Sequence, residues 1–132
     1  MIPVVVDTNI LVSGLWKPTG SASLVISQIV AGNLVPCYDH RIVNEYDEVL
    51  RRPKFKFSAL QVGFLLEAIF RNGVPVVADP LPDVIMGDED DRPFFEVAKT
   101  CGAPHVTGNI KYYPSDSVVY ALSDFCRRFL IQ

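Results

Sequence analysis

Little in this 132-residue chain is available for cross-linking, for zinc or for general attraction to polyanions. Its three cysteines, Cys37, Cys101 and Cys126, are odd in number and widely spaced. They form neither a CxxC pair nor a zinc-ligand pattern, which argues against a disulfide framework and points to a reducing, cytoplasmic setting. The only histidines, His40 and His105, belong to no ligand motif. No apolar run is long enough to span a bilayer, so no membrane association is expected. The opening Met-Ile-Pro-Val-Val-Val-Asp lacks a basic segment leading into a long apolar stretch, and reads as a strand rather than a signal peptide. Basic residues are outnumbered, 12 Lys and Arg against 15 Asp and Glu, and the net charge of −3 disfavours sequence-independent electrostatic capture of nucleic acid.

What is present is a core. Hydrophobic residues make up 49% of the chain and charged residues 20%, the balance of one compact α/β domain over residues 1–132. Val4 to Val6 is a short β-branched run suited to a strand buried on both faces, and it stops at Asp7-Thr8-Asn9. Ser21 is placed to cap a helix over about 22–31 that Gly32 ends. Leu34 to Tyr38 reads as a second strand, and Asp39 or His40 opens a helix to about Leu50. Ser58 caps a further helix through about Phe70, closed by Asn72-Gly73. Val74 to Ala78 is a third strand candidate. The proline- and acid-rich stretch 79–91 reads as a loop, followed by a helix from about Pro93. His105 to Thr107 and Val118 to Ala121 complete the strands, and Ser123 starts a terminal helix. Alternating strands and helices predict a central, largely parallel sheet covered on both faces.

In such a sheet, ligands bind beyond the carboxyl ends of the strands, where Asp7 falls. The competing reading is that Asp7 or Asn9 caps the next helix. On the 40–50 helix the stripe Ile42, Val43, Tyr46, Val49 and Leu50 sets the buried face. At about 100° per residue, Glu45 and Asp47 flank that stripe and Glu48 lies nearly opposite it. The wheel does not separate Glu45 from Asp47. The run Asp88-Glu89-Asp90-Asp91 has an ordinary explanation in the positive end of the helix that follows. Brought beside Asp7, it would instead form an all-oxygen site suited to Mg2+ or Mn2+ rather than zinc.

These residues resemble the PIN domain family over nearly the whole chain. VVVDTNILVSGLW resembles the family's first strand and Asp-Thr-Asn start. RIVNEYDEVLRRPKF resembles the helix and Arg-Pro-Lys-Phe exit of a bacterial and archaeal, toxin-like branch. DEDDRPFFEVAKTCGAPHVTGNIKYYP resembles that branch's acidic loop, helix and Thr-Gly turn. The resemblance implies a three-layer α/β/α fold and a Mg2+ or Mn2+ site that hydrolyses RNA phosphodiesters. It implies that Asp7, Glu45 and Asp91 are the catalytic acids and metal ligands, with Asp90 an adjacent alternative. It further implies a toxin of a toxin–antitoxin pair, with an antitoxin protein as partner and a homodimeric state.

Where many PIN proteins carry a further Asp after the Thr-Gly turn, this chain has Asn109, which removes a charge from a second metal position. Asn109 is then either a residue that holds a metal-bound water or an ordinary turn residue. Thr8 and Asn9 are placed to orient Asp7 or meet substrate. Arg51, Arg52, Lys54 and Lys56, interleaved with Phe55 and Phe57, form a candidate phosphate and base platform, although for the two phenylalanines a place in the core is the favoured reading. Lys17 and Lys111 are further candidate RNA contacts. Tyr112 and Tyr113 either stack on bases or anchor the chain before Pro114. Aspartyl phosphoryl transfer would want an acid at position 9, where Asn9 stands. The remaining alternative is a degenerate PIN fold that binds RNA or a protein without cutting.

Overall fold

Five hydrogen-bonded strands, all parallel, form one sheet in the order β3-β2-β1-β4-β5. The strands are β1 (Ile2–Val6), β2 (Leu34–Tyr38), β3 (Val74–Pro75), β4 (His105–Thr107) and β5 (Val119–Ala121). The computed structural model describes residues 1–130. Six α-helices lie among these residues: α1 (Thr8–Trp16), α2 (Ser21–Ala31), α3 (His40–Leu50), α4 (Ala59–Asn72), α5 (Arg92–Cys101) and α6 (Leu122–Phe125). The result is the expected three-layer α/β/α arrangement.

β1 is central, and Val4, Val5 and Val6 are buried at 0–1% exposure, as a strand covered on both faces requires. From β1 the chain builds outward through β2 and β3, then crosses back to place β4 on the other side of β1. The topological switch point therefore lies between β1 and β4, and Asp7 follows β1 at its carboxyl end.

Local chemistry accounts for most boundaries. Asp39 caps α3 by accepting from the Ile42 amide at 3.1 Å. Ser58 and Gln61 make a reciprocal capping box at the start of α4. Gly32 ends α2 in the left-handed region, at φ 83°. Four readings need correction. The apolar run after Asp7 has no amphipathic stripe to mark it, yet it forms α1, with Thr8, Ile10, Leu11 and Gly14 all buried. Gly20, at φ 111°, takes the cap position of α2, and Ser21 is its first helical residue. β3 is only two residues long: Pro75 supplies no amide donor, and Val77 is almost fully exposed at the sheet edge. The terminal helix opens at Leu122 and widens into a π-type turn over Cys126–Leu130.

The loop 79–91 is tied down by one buried acid. Glu96 of α5 accepts from the Leu81 amide at 2.8 Å and from Arg41 Nη1 at 2.8 Å. Arg92 adds hydrogen bonds to the carbonyls of Leu81 and Val84. Glu96→Ala should therefore lower folding stability by about 2 kcal/mol, the scale of hydrogen bonds to a charged group. A urea midpoint unchanged from the parent would show that the loop is held by other contacts.

Candidate active site

Asp7 is the N-cap residue of α1, but its side chain does not cap the helix. Its carboxylate is 2% exposed and turns toward the switch point. There Oδ1 accepts from the Tyr113 hydroxyl at 2.6 Å and faces His105 Nε2 at 3.0 Å. Nε2 must carry the proton in this pair, because a bare nitrogen would set a lone pair against a carboxylate oxygen. The other ring nitrogen of His105, Nδ1, is buried without a partner. The imidazole is clamped by the Tyr113 ring, edge-on at 4.4 Å, and by Phe94, stacked at 6.1 Å. Both donors fall on Oδ1, so among the described residues Oδ2 takes no protein donor.

Glu45 enters from α3. It is half-buried and accepts a hydrogen bond from the Thr8 hydroxyl. The next residue, Tyr46, is fully buried and donates to the Val6 carbonyl, which fixes α3 against the end of β1. The structure separates the acids that the helical wheel left together. Asp47 pairs with Arg51 at 2.7 Å and Glu48 with Arg52 at 3.3 Å, both on the exposed surface.

The acidic run divides just as clearly. Asp88 caps a 3-10 turn over Glu89–Asp91 by accepting from the Asp90 amide at 3.0 Å. Glu89 pairs with Arg92 at 2.6 Å, and Asp90 is exposed. Asp91, at the start of α5, is half-buried and makes no cap hydrogen bond. The Tyr113 hydroxyl stands close enough to Asp7 and Asp91 to influence both.

Burial and, after it, repulsion mark this convergence. Burial first, and then Asp7 and Asp88, push the Asp91 carboxyl up to about 7, against the opposing pull of Tyr113. Burial also raises Glu45, opposed by its Thr8 hydrogen bond and reinforced by Asp7, Asp90 and Glu48. The Tyr113 phenol is held well above its ordinary range by burial and by Asp7. These are carboxylates drawn together without a compensating Lys or Arg among the described residues, the environment that a divalent ion relieves. Their spacing is open: among the described residues, no three His, Cys, Asp or Glu side chains are grouped closely enough to hold one ion between them.

The other sequence candidates settle into distinct places. Thr8 is buried against Glu45, and Asn9 Oδ1 accepts from the Gly108 amide at 3.1 Å, so neither orients Asp7. That second contact ties the start of α1 to the turn after β4, at the switch point. Asn109 is exposed, and its amide donates to Thr107 Oγ1 at 3.0 Å. Lys54 and Lys111 are exposed and lie over the rings of Phe55 and Tyr112. Tyr113 is an anchor, 7% exposed, whereas Tyr112 is 43% exposed.

The sequence reading missed His105 and Tyr113 as partners of Asp7. A histidine inside a short buried strand was the available signal, since a buried imidazole needs a polar partner and β4 neighbours β1.

The sequence model of one family, described as PIN domain, matches residues 3–111. The chain belongs to the PIN domain family. Comparisons with curated proteins and with solved structures give no significant match. PIN domains are in general nucleases, and the matched span contains Asp7, Glu45, Asp91 and Asn109, while Tyr113 lies just beyond it. No helix among the described residues of this PIN domain is long and apolar enough to cross a membrane.

The raised Asp91 gives the metal-free PIN domain a definite pH dependence. Below about pH 4 the acid is neutral in the folded and unfolded chains, and no penalty arises. Between about 4 and 7 the unfolded chain ionises while the folded one keeps its proton, so stability falls as pH rises. In chelator at pH 8, Asp91→Asn should be more stable than the parent by on the order of 1 kcal/mol, a figure discounted for solvent screening of a half-exposed group. Urea midpoints should converge toward pH 4. A constant difference across that range would count against repulsion as its source.

Proposed function

We propose that this PIN domain is a divalent-metal-dependent endoribonuclease in which Asp7, Glu45 and Asp91 are the working acids. The observation that carries the reading is Asp7: a buried carboxylate at the switch point, held by two donors on Oδ1 with Oδ2 left over. The donor set is all oxygen, and among the described residues no Lys or Arg pairs with it to offset its negative charge. That chemistry fits Mg2+ or Mn2+, which keep several waters and need only one or two direct carboxylates. The open spacing of the acids suits such a partly hydrated ion.

In this reading Asp7 and Asp91 hold the ion, directly or through its waters. When bound, the ion activates a water and offsets charge building on the scissile phosphate. Glu45 stands to one side, its Oε2 already occupied by Thr8. That hydrogen bond fixes the carboxylate, and its raised pKa suits accepting a proton from the attacking water. Tyr113 and His105 keep Asp7 from rotating. Asn109 is placed on the exposed turn after β4, where its neutral amide can bind a water but adds no charge.

We further read the protein as the toxin of a toxin–antitoxin pair, inhibited by an antitoxin protein and acting as a homodimer. This rests on the resemblance of the Arg41–Phe55 segment to the toxin-like branch. Exposed Leu60 and Phe64, one turn apart on α4, offer an apolar face for such partners.

Cleavage of labelled single-stranded RNA with Mg2+ or Mn2+ tests the proposal. Folded Asp7→Ala should lose at least about 100-fold in rate, the scale on which removing one transition-state stabiliser acts. Chelator should abolish cleavage by the parent. Equal products from parent and variant would place the activity elsewhere. RNA binding without any products would turn the reading toward a non-cutting PIN module.

A further inference from the structure

Trp16 is the only tryptophan in the chain, and it closes α1 with 58% of its surface exposed. Phe55 and Phe57 meet it edge-on at 6.2 and 6.1 Å, and these two rings stack on each other at 5.7 Å. The stack depends on an unusual turn. Lys56, between the two phenylalanines, has φ 57°, the only positive φ outside glycine among the described residues. A left-handed lysine is a strained conformation, kept only where the surrounding contacts demand it. Beside the rings lies a cavity of about 320 Å3 lined by Val12, Ser13, Trp16, Lys17 and Phe55.

The charge around this cavity is of one sign. No acid lines it, and Lys17 forms part of its wall. Lys54 Nζ lies 5.1 Å from the Phe55 ring centroid. Lys17, Lys54 and Lys56 take part in no ion pair among the described residues, unlike Arg51 and Arg52 nearby. In a chain of net charge −3, this is a local cationic rim around an aromatic floor. Apolar rings flanked by ammonium groups match a flat base carried on a phosphate backbone.

The cavity is also connected to the acids. α1 begins at Thr8, which donates to Glu45, and ends at Trp16, eight residues or about 12 Å along the helix axis. Phe55 follows α3, the helix that carries Glu45, and α1 packs against α3. A single strand whose phosphate lay at the acids would need only a short stretch to reach the rings.

We propose that the cavity between Trp16 and Phe55 is a base-stacking subsite for single-stranded RNA, with Lys17 and Lys54 meeting the adjoining phosphates. The choice of RNA as occupant rests on the nuclease reading above; the stacking chemistry does not.

Because the tryptophan is unique, its emission reports on this site alone. The wild-type chain in chelator is titrated with a short uridine oligonucleotide, and separately with an abasic ribose-phosphate oligomer of equal length. The RNA should quench Trp16, and the abasic oligomer should not. Trp16→Ala should weaken RNA binding about 10-fold, measured by the anisotropy of labelled RNA, and Trp16→Phe should restore most of it. Lys17→Ala should reduce the salt dependence of binding. If Trp16→Ala proves poorly folded, the quenching comparison in the wild type stands by itself.

RNA cleavage with no change in Trp16 emission would overturn the subsite and leave the nuclease standing. Base-dependent quenching without cleavage in Mg2+ or Mn2+ would uphold the subsite and overturn the nuclease. Emission that changes with protein concentration alone, together with dimer formation in sedimentation, would assign the cavity to a second copy and overturn the proposal.

Discussion

The arrangement of this PIN domain turns on one buried carboxylate. Removing Asp7 from water is costly unless donors replace the lost solvent. Here Tyr113 and His105 do so on a single oxygen. Much of the surrounding architecture serves those two donors. β4 must lie beside β1 for His105 to arrive, Phe94 of α5 must stack on the imidazole, and the chain after β4 must fold back to bring in Tyr113. The strand order that puts β1 in the centre, with a change of direction on its β4 side, satisfies these demands together. Glu45 of α3 and Asp91 at the start of α5 come in toward that same edge, close enough for Asp7 to raise both.

Electrostatics then explains why these acids differ from their neighbours. Asp47, Glu48 and Glu89 each have an arginine within a turn of helix, and Asp88 caps a backbone turn. They are accounted for locally. Among the described residues Glu45 and Asp91 have no such partner, and both are half-buried carboxyls that feel the charge of Asp7. Carboxyls raised by burial and by neighbouring charge are the kind of group that gathers at functional sites.

Much of this was legible from the sequence because it is local. β2, α3 and β4 fall where their apolar spacing, caps and turn residues put them. So do the placement of Asp7 at a strand end and the split between a core-facing and a solvent-facing side of α3. What was not legible depends on distance or on the lack of a polar stripe. α1 has no continuous polar face to set its period: Ile10, Leu11 and Gly14 are buried, and its exposed side carries Ser13 and the apolar ring of Trp16. β3 shrank because an edge strand gains little from residues that follow a proline. The helical wheel could not choose Glu45 over Asp47, a choice that came from the family resemblance; the Thr8 contact that sets Glu45 apart spans 37 residues, and the pairing of Asp7 with Tyr113 spans 106. Side-chain periodicity contains no information about such partners.

That last separation bears on the order in which the molecule comes into being. Asp7 leaves the ribosome 106 residues ahead of Tyr113, and its carboxylate lacks that donor until β4 has docked and residue 113 has followed it out. A nascent chain holding only β1, β2 and β3 has the first two acids but neither Asp91 nor the tyrosine, and its central strand has an open edge where β4 belongs. Contacts of such long sequence separation form late and slowly. The candidate site of a domain built this way is completed only once β4 and Tyr113 have emerged, and the interval before that is also when its exposed strand edge most needs protection from other chains.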